Sequence, residues 1–199
     1  MLIVPSAYLA PISYNALLYA AREAVEDRHE HFVKQTYRNR CCIATPGGVQ
    51  ALTIPVVRDN AGHTAMKDIR ISDHGNWRHL HWQALVSAYD NSPYFMYYAD
   101  DFRPLYEQKF TYLVDFNAAL QHTVLSLLSL DLPIRQAEAY VSPTTACVCD
   151  LRPLLSPKVG PEADTAAFSP RAYYQVFAER TGFLPNLSIV DLLFNMGPE

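Results

Sequence analysis

The chain has 199 residues, half of them hydrophobic and 18% charged, with a formal net charge of −4 at pH 7. That length suits one domain with a proper core, and the mild acidity excludes a general electrostatic attraction to nucleic acid or to an acidic membrane surface. Thirteen tyrosines against seven glycines suit half-buried walls that contact amphipathic ligands, or equally a protein interface.

The apolar start Met1-Leu2-Ile3-Val4 lacks the basic flank of a signal peptide, since the first cationic residue is Arg22 and Pro5 and Pro11 interrupt the run. No segment approaches the roughly 20 apolar residues needed to cross a bilayer. A cytoplasmic protein with no membrane span is expected. Residues 2–4 read as a short buried strand, and Pro11 stands at the start of a helix from Ile12 to Ala21. Strand, loop and helix in that order build a ligand crevice at a strand's carboxyl end. Tyr8, in the loop, is therefore a candidate wall residue, or else an ordinary packed aromatic. A short strand follows at 24–28. His29 and His31 share a strand face at a spacing that metals use, but they supply only two ligands without a carboxylate partner, so no metal site is expected.

The stretch from Tyr37 to Val57 reads as a β-hairpin, with two β-rich runs flanking Thr45-Pro46-Gly47-Gly48. Strand alternation puts Arg38, Arg40 and Cys42 on one face and Tyr37, Asn39, Cys41 and Ile43 on the other. Guanidiniums two residues apart sit roughly 7 Å from each other, within reach of one phosphate or carboxylate. The alternative is that both arginines line a solvated face or pair with nearby carboxylates. Asn39, between them, is a candidate hydrogen-bond donor.

Met66 to Ser72 reads as a strand and Asn76 as the cap of a helix at 77–90, whose apolar stripe is Trp77, Leu80, Ala84, Leu85 and Ala88. His81 flanks that stripe as a candidate general base, and Trp77 and Trp82 are candidate stacking surfaces. Asn91-Ser92-Pro93 ends the helix. The run Tyr94-Phe95-Met96-Tyr97-Tyr98 cannot all face one core, and it offers a groove or a contact for a homo-oligomer. Helices at 99–109, with Pro104 inside it, and at 112–130 follow, the second with a continuous apolar stripe. Strands are expected at 134–141 and 146–151, then a proline-rich surface loop at 152–170 that suits a lid. A helix from Ala172 to Arg180 stops before Gly182. The four cysteines, Cys41, Cys42, Cys147 and Cys149, lack C-x-x-C spacing. Reduced thiols are expected, with a bridge from Cys42 to Cys147 or Cys149 left open. At the end, Leu187-Ser188-Ile189-Val190-Asp191-Leu192 carries a capping box between Ser188 and Asp191 and a staple from Leu187 to Leu192. Asn195, after Leu-Leu-Phe, needs a polar partner.

In order along the chain, Tyr37-Arg38-Asn39-Arg40, Gly48-Val49-Gln50-Ala51-Leu52-Thr53-Ile54-Pro55-Val56, His81-Trp82, Tyr94-Phe95 and the ending Pro185-Asn186-Leu187-Ser188-Ile189-Val190-Asp191-Leu192-Leu193-Phe194-Asn195-Met196-Gly197 resemble the WbqC-like family. Members of that family occur in bacterial surface-polysaccharide (O-antigen) gene clusters, and a glycine-transferase role is attached to some. This chain departs from the family pattern in places. Val4-Pro5-Ser6-Ala7-Tyr8 lacks a glutamine before its proline, Arg28-His29-Glu30-His31 replaces an Asp-Asp-Val-Gln-like stretch, and Tyr174-Gln175 stands where Tyr-Pro-Gln and a histidine are usual.

These readings predict an α/β fold in a single domain over 1–199, a mixed sheet carrying the hairpin with flanking helices, and an α+β arrangement as the rival. The resemblance implies an aminoacyl or glycyl transfer to an amino sugar. For that chemistry Arg38 and Arg40 would clamp an anionic, nucleotide-sugar-like ligand, with Tyr8, Trp77 and Trp82 stacking. His81 would be the base, with Asn39 and Asn195 as donors. Nothing in the motifs asks for a cofactor. The rival function is a non-catalytic binding or interaction module that keeps the fold.

Overall fold

A computed structural model describes residues 1–57, 63–143, 149–156 and 169–198. Strand β1 (Leu2–Val4) leads into α1 (Ile12–Ala21), and β2 (Ala24–Glu26) returns beside β1 in parallel. Strands β3 (Arg40–Thr45) and β4 (Gly48–Thr53) form the hairpin. Three helices follow, α2 (Trp77–Tyr89), α3 (Phe95–Glu107) and α4 (Leu113–Leu127). Strands β5 (Ile134–Gln136) and β6 (Cys149–Asp150), then helices α5 (Ala178–Thr181) and α6 (Ile189–Met196), complete the chain. The architecture is α/β: a parallel sheet ordered β5-β2-β1-β6 and an antiparallel two-stranded ladder.

Strand β3 is the divider of the interior. Its alternating side chains enter two different cores: Cys41 and Ile43 pack with Trp77, Phe102, Phe116 and Phe194, while Cys42 and Ala44 pack with Leu2, Val4, Tyr14 and Leu18. A strand buried on both faces must also satisfy its outer edge. The Ala44 amide donates to the Tyr89 hydroxyl of α2 (3.3 Å), and the Cys42 carbonyl accepts from the Ser188 amide at the start of α6 (2.8 Å). In the hairpin turn it is Gly48 that takes positive φ (105°), and the Thr45 hydroxyl closes the loop on its carbonyl at 2.8 Å.

Several local expectations change. The segment 66–72 is a 3-10 turn at Met66–Asp68 followed by isolated bridges, because its backbone is shared among neighbours: Met66 and Lys67 donate to Glu30 and Arg28, and Ile71 donates to Thr111. Asn76 sits in the left-handed region (φ 47°) with no side-chain cap bond. Leu80 is 59% exposed and His81 takes its place in the buried stripe of α2. Helix α3 begins inside the aromatic run, at Phe95, so that run is a first helical turn with Phe95 buried and Met96 and Tyr97 exposed.

Helix α5 shrinks to four residues. The preceding segment is held instead by Gln175, whose amide accepts from the Leu184 amide and donates to the Leu184 carbonyl, both at 2.9 Å. Ser188 accepts from the Val190 amide as a cap, but Asp191 does not close the box. Its carboxylate turns inward to the hydroxyls of Tyr89 (2.7 Å) and Tyr173 (2.5 Å) and to the Gln175 amide (3.0 Å). Cys41, Cys42 and Cys149 are all free thiols, which removes the Cys42–Cys149 bridge; Cys147 lies outside the described residues. So does most of the proline-rich stretch, from 157 to 168.

Candidate functional site

Parallel strands end together, so the residues just after β1, β2 and β6 converge at one edge of the sheet. Here that edge is polar and mostly buried. Asp27 (0% exposed) receives the His29 amide at 2.8 Å and the Val141 amide at 3.2 Å, and it pairs with Arg152. Arg152 also grips Asp150 (2.6 Å), donates to the Val141 carbonyl (2.8 Å) and lies over the Tyr140 ring at 5.0 Å. Beside this knot Arg38 makes a two-pronged pair with Glu30, at 2.8 and 2.5 Å. Burial pushes the Glu30 carboxyl up from its ordinary range, and the Arg38 guanidinium opposes that rise.

Next to these saturated pairs lies a cavity of about 250 Å³ under α4, lined by Glu26, Arg28, Asn117, Gln121, His122 and Gln136 among others. Glu26 accepts from Arg28 Nε at 2.5 Å. Turned with its oxygen toward Arg28, the Gln136 amide accepts from both terminal guanidinium nitrogens at 3.1 and 3.2 Å. Tyr14, whose hydroxyl donates to the Pro5 carbonyl (3.3 Å), closes another wall, and burial raises its pKa. The Asn117 amide nitrogen donates to Ser6 Oγ (3.1 Å) and to the Arg38 carbonyl (2.9 Å), which fixes the amide's orientation. Asn117 Oδ1 is then buried with no partner. A fully buried acceptor left unmet costs free energy unless something donates to it. The cavity thus offers a carboxylate, a guanidinium, amides and a surface imidazole (His122), polar groups suited to a small molecule carrying both hydroxyl or amine and anionic groups.

The sequence-chosen residues lie elsewhere. Strand β3 starts only at Arg40, so alternation does not carry back to Arg38, which sits in a turn at 3% exposure and faces Glu30. Arg40 lies on the hairpin and donates to Thr53 Oγ1 at 3.0 Å. Asn39 donates to the Ile54 carbonyl (2.9 Å) and leaves its own Oδ1 buried and unpaired. Tyr8, fully buried, exchanges hydrogen bonds with His81 Nδ1 (3.0 Å) and the Tyr106 hydroxyl (2.8 Å) in the aromatic core. Burial holds the His81 imidazole well below its usual value, at about 4, against a hydrogen bond that the ring donates to the Thr53 backbone. The ring is neutral at pH 7. Trp77 is buried edge-on to His81 (5.2 Å) and donates to the Ser72 carbonyl, while Trp82 is half-buried. Asn195 ties α6 to the preceding segment: it donates to the Asp191 carbonyl (2.8 Å) and accepts from the Val176 amide (3.3 Å). Tyr8, His81 and Trp77 are thus brought together, whereas Arg38, Arg40 and Asn195 are not joined to them, and none of these residues lines the cavity under α4.

Two signals for the cavity were present in the sequence. Glu26 and Arg28 stand two apart at the end of a strand, where side chains share a face. Asn117 breaks the apolar stripe of α4 directly after Phe116, a place where a polar side chain must have a reason. Gln121, His122 and Gln136 carry no signal of their own. Among the described residues no group of three His, Cys, Asp or Glu is arranged to hold a metal ion; His31 packs edge-on against His63 at 5.3 Å. Nor does any described helix have the length and apolarity to cross a membrane.

Comparison with known proteins gives a sequence profile, described as the WbqC-like protein family, that matches residues 6–152. A protein of Mycobacterium tuberculosis (strain ATCC 25618 / H37Rv), named Uncharacterized protein Rv1507c, is 28% identical over 220 residues, covering 99% of this chain and 94% of its own length. No solved structure gives a significant match. The profile match takes in β2 through β6, and so every residue named in the cavity.

Proposed function

The chain belongs to the WbqC-like family, and from that premise we propose that it is a transferase of surface-polysaccharide synthesis that passes an aminoacyl or glycyl group to an amino sugar seated in the cavity under α4. The observation that carries the reading is the Glu26–Arg28 pair lining a cavity at the carboxyl ends of parallel strands. A volume of about 250 Å³ falls just under the range of roughly 300–1,000 Å³ for pockets that take drug-sized ligands, which favours a single sugar ring or an amino acid over a whole nucleotide sugar. In the transfer, the acceptor nitrogen attacks the carbonyl of the activated donor and loses a proton, and the new C–N bond replaces the bond to the donor's activating group, which departs with that bond's electron pair. The Glu26 carboxylate and the surface imidazole of His122 are the bases within the lining, and Arg28 is the cation available to an anionic group.

The test is calorimetric titration with free amino sugars and amino acids, followed by mass spectrometry of a nucleotide-linked amino sugar incubated with an activated glycine donor. Binding and acylated sugar are expected for the native chain, with both lost in Glu26→Gln. Binding that survives Glu26→Gln and Ala118→Phe, a change that fills the cavity from its wall, would place the ligand elsewhere and end the reading. A second reading is favoured by one observation: Met96 and Tyr97 are 72% and 68% exposed on the first turn of α3, a surface suited to a partner or a second copy of the chain. Ligand binding without any acylated product, together with a dimer that Tyr97→Glu dissociates, would establish that non-catalytic role.

A further inference from the structure

A second concavity lies between α2 and α3, away from the sheet edge. It measures about 480 Å³ and is lined by Arg78, His79, Trp82, Arg103, Tyr106 and Lys109, with Glu107 the acidic side chain among its walls. The chain as a whole is acidic at −4, so this groove reverses the sign of its surroundings. Its floor is aromatic. The half-buried Trp82 ring is tilted against Phe95 and Tyr106, with centroids 6.1 and 5.9 Å away, which holds it in place where it lines the groove. Arg78 is fixed by Asp73 (2.6 Å) and by the Trp77 ring beneath its guanidinium (4.9 Å). Asp73 also holds Lys109 at 3.3 Å, and Glu107 holds Arg103 at 2.8 Å.

These acids are more than half exposed, and exposed ion pairs contribute little to stability. A phosphate can therefore replace them without a penalty like that of breaking a buried pair. The same two cations on Asp73 stand ready for a group that accepts several charge-assisted hydrogen bonds at once. A flat hydrophobic face beside clustered cations fits a molecule with a planar ring at one end and phosphate at the other. The volume lies inside the range of small-ligand pockets, and the exposed amides of Asn76 and Gln83 on the walls can bond a base edge.

We propose that the α2–α3 groove is a nucleoside diphosphate site, with the base against Trp82 and the phosphates against Arg78, Arg103 and Lys109. The site is independent of the cavity under α4. The chain contains two tryptophans, and Trp77 is buried, so Trp82 fluorescence reports the groove. Uridine diphosphate is titrated against the whole chain, with uridine, inorganic phosphate and a short single-stranded RNA as the other probes. Saturable quenching by the diphosphate is expected. Trp82→Phe removes the quench, Lys109→Ala with Arg103→Ala weakens binding at least about tenfold, and Glu26→Gln leaves it unchanged. Circular dichroism and the melting temperature confirm that the variants fold. The proposal is overturned by any of four results: no quenching; binding indifferent to the Lys109/Arg103 change; phosphate alone binding as tightly as the diphosphate; or RNA binding more tightly than the diphosphate. The last would identify the groove as part of an RNA surface.

Discussion

The aromatic core and the sheet edge both bury chemistry-bearing side chains, and they differ in one respect. In the aromatic core, Tyr8, His81 and Tyr106 satisfy one another, and the imidazole is held neutral by its surroundings. At the sheet edge, Glu26, Arg28 and Asn117 also make internal bonds, yet they border empty space and leave one acceptor unmet. A buried histidine attracts attention by residue type. The asparagine does so only through its accounts: a donor committed twice, an acceptor not at all. Polar side chains lining open volume are a better mark of a ligand site than the presence of a titratable group alone.

The largest expected effect tests how far the sheet edge depends on its saturated pairs. Arg38→Ala leaves the Glu30 carboxylate buried among low-dielectric neighbours, which should cost about 3–5 kcal/mol in chemical denaturation. Arg40→Ala, on a half-exposed arginine bonded to Thr53, should stay within about 0.5 kcal/mol. The double change Glu30→Met with Arg38→Met should recover much of the loss, because it removes both charges together. If Arg38→Ala and Arg40→Ala cost the same, the two arginines are alike in their surroundings and Arg38 is open to a ligand after all.

That contrast between neighbouring arginines also shows what the sequence could disclose. Strand β1, helix α1, the hairpin and the α4 stripe were all legible, because periodicity and turn residues act locally. For Arg38 the alternation was extended two residues past the point where the strand begins, and of the two readings it left open the structure shows the carboxylate pair. Its partner, Glu30, lies across a turn and leaves no periodic trace. His81 and Leu80 exchanged places since either fits near the edge of a helical stripe, and only the packing of Tyr8 and Tyr106 selects the histidine. Helix 172–180 failed because a tertiary claim, Gln175 on Leu184, overrode its propensity. The cavity required three strands and a helix at once, so no stretch of sequence shows it whole.

The aromatic core should reveal itself in acid. An imidazole with an ordinary value of about 6.5 unfolded and about 4 folded binds its proton more readily in the unfolded chain. Stability is therefore fully present above pH 6.5 and falls as pH drops from 6.5 towards 4, by at most about 3 kcal/mol. Glu30 and Asp191 act in the opposite sense, since burial raises their carboxyls and the folded chain then binds protons more readily than the unfolded one. The measurement is accordingly a difference: denaturation of native protein and of His81→Asn at pH 7 and pH 4.5. The native chain should lose more stability on acidification than the variant. Equal losses would mean that His81 is reached by water and can take up a proton in place, which would return it to the list of bases.

The smallest expected effect separates the two regions most finely. Tyr8→Phe removes one hydroxyl from the aromatic core and leaves His81 Nδ1 without its donor. The cost should be about 1–3 kcal/mol, that of leaving one buried group unsatisfied, and no ligand affinity should change. Asn117→Asp keeps an oxygen at the unmet position and removes the donor to Ser6 and the Arg38 carbonyl, so its stability cost should be similar. Its effect on a ligand in the cavity should be large, because the lining then carries a second carboxylate in addition to Glu26, which repels an anionic group and favours an amine. Calorimetry with an amino sugar and with its uncharged N-acetyl counterpart distinguishes the cases. Tighter binding of the free amine in Asn117→Asp, with Tyr8→Phe unchanged for both ligands, places the amine in the cavity under α4. An equal response from Tyr8→Phe would mean that the two regions answer to one ligand, and the distinction between a satisfied core and an unsatisfied site would fail.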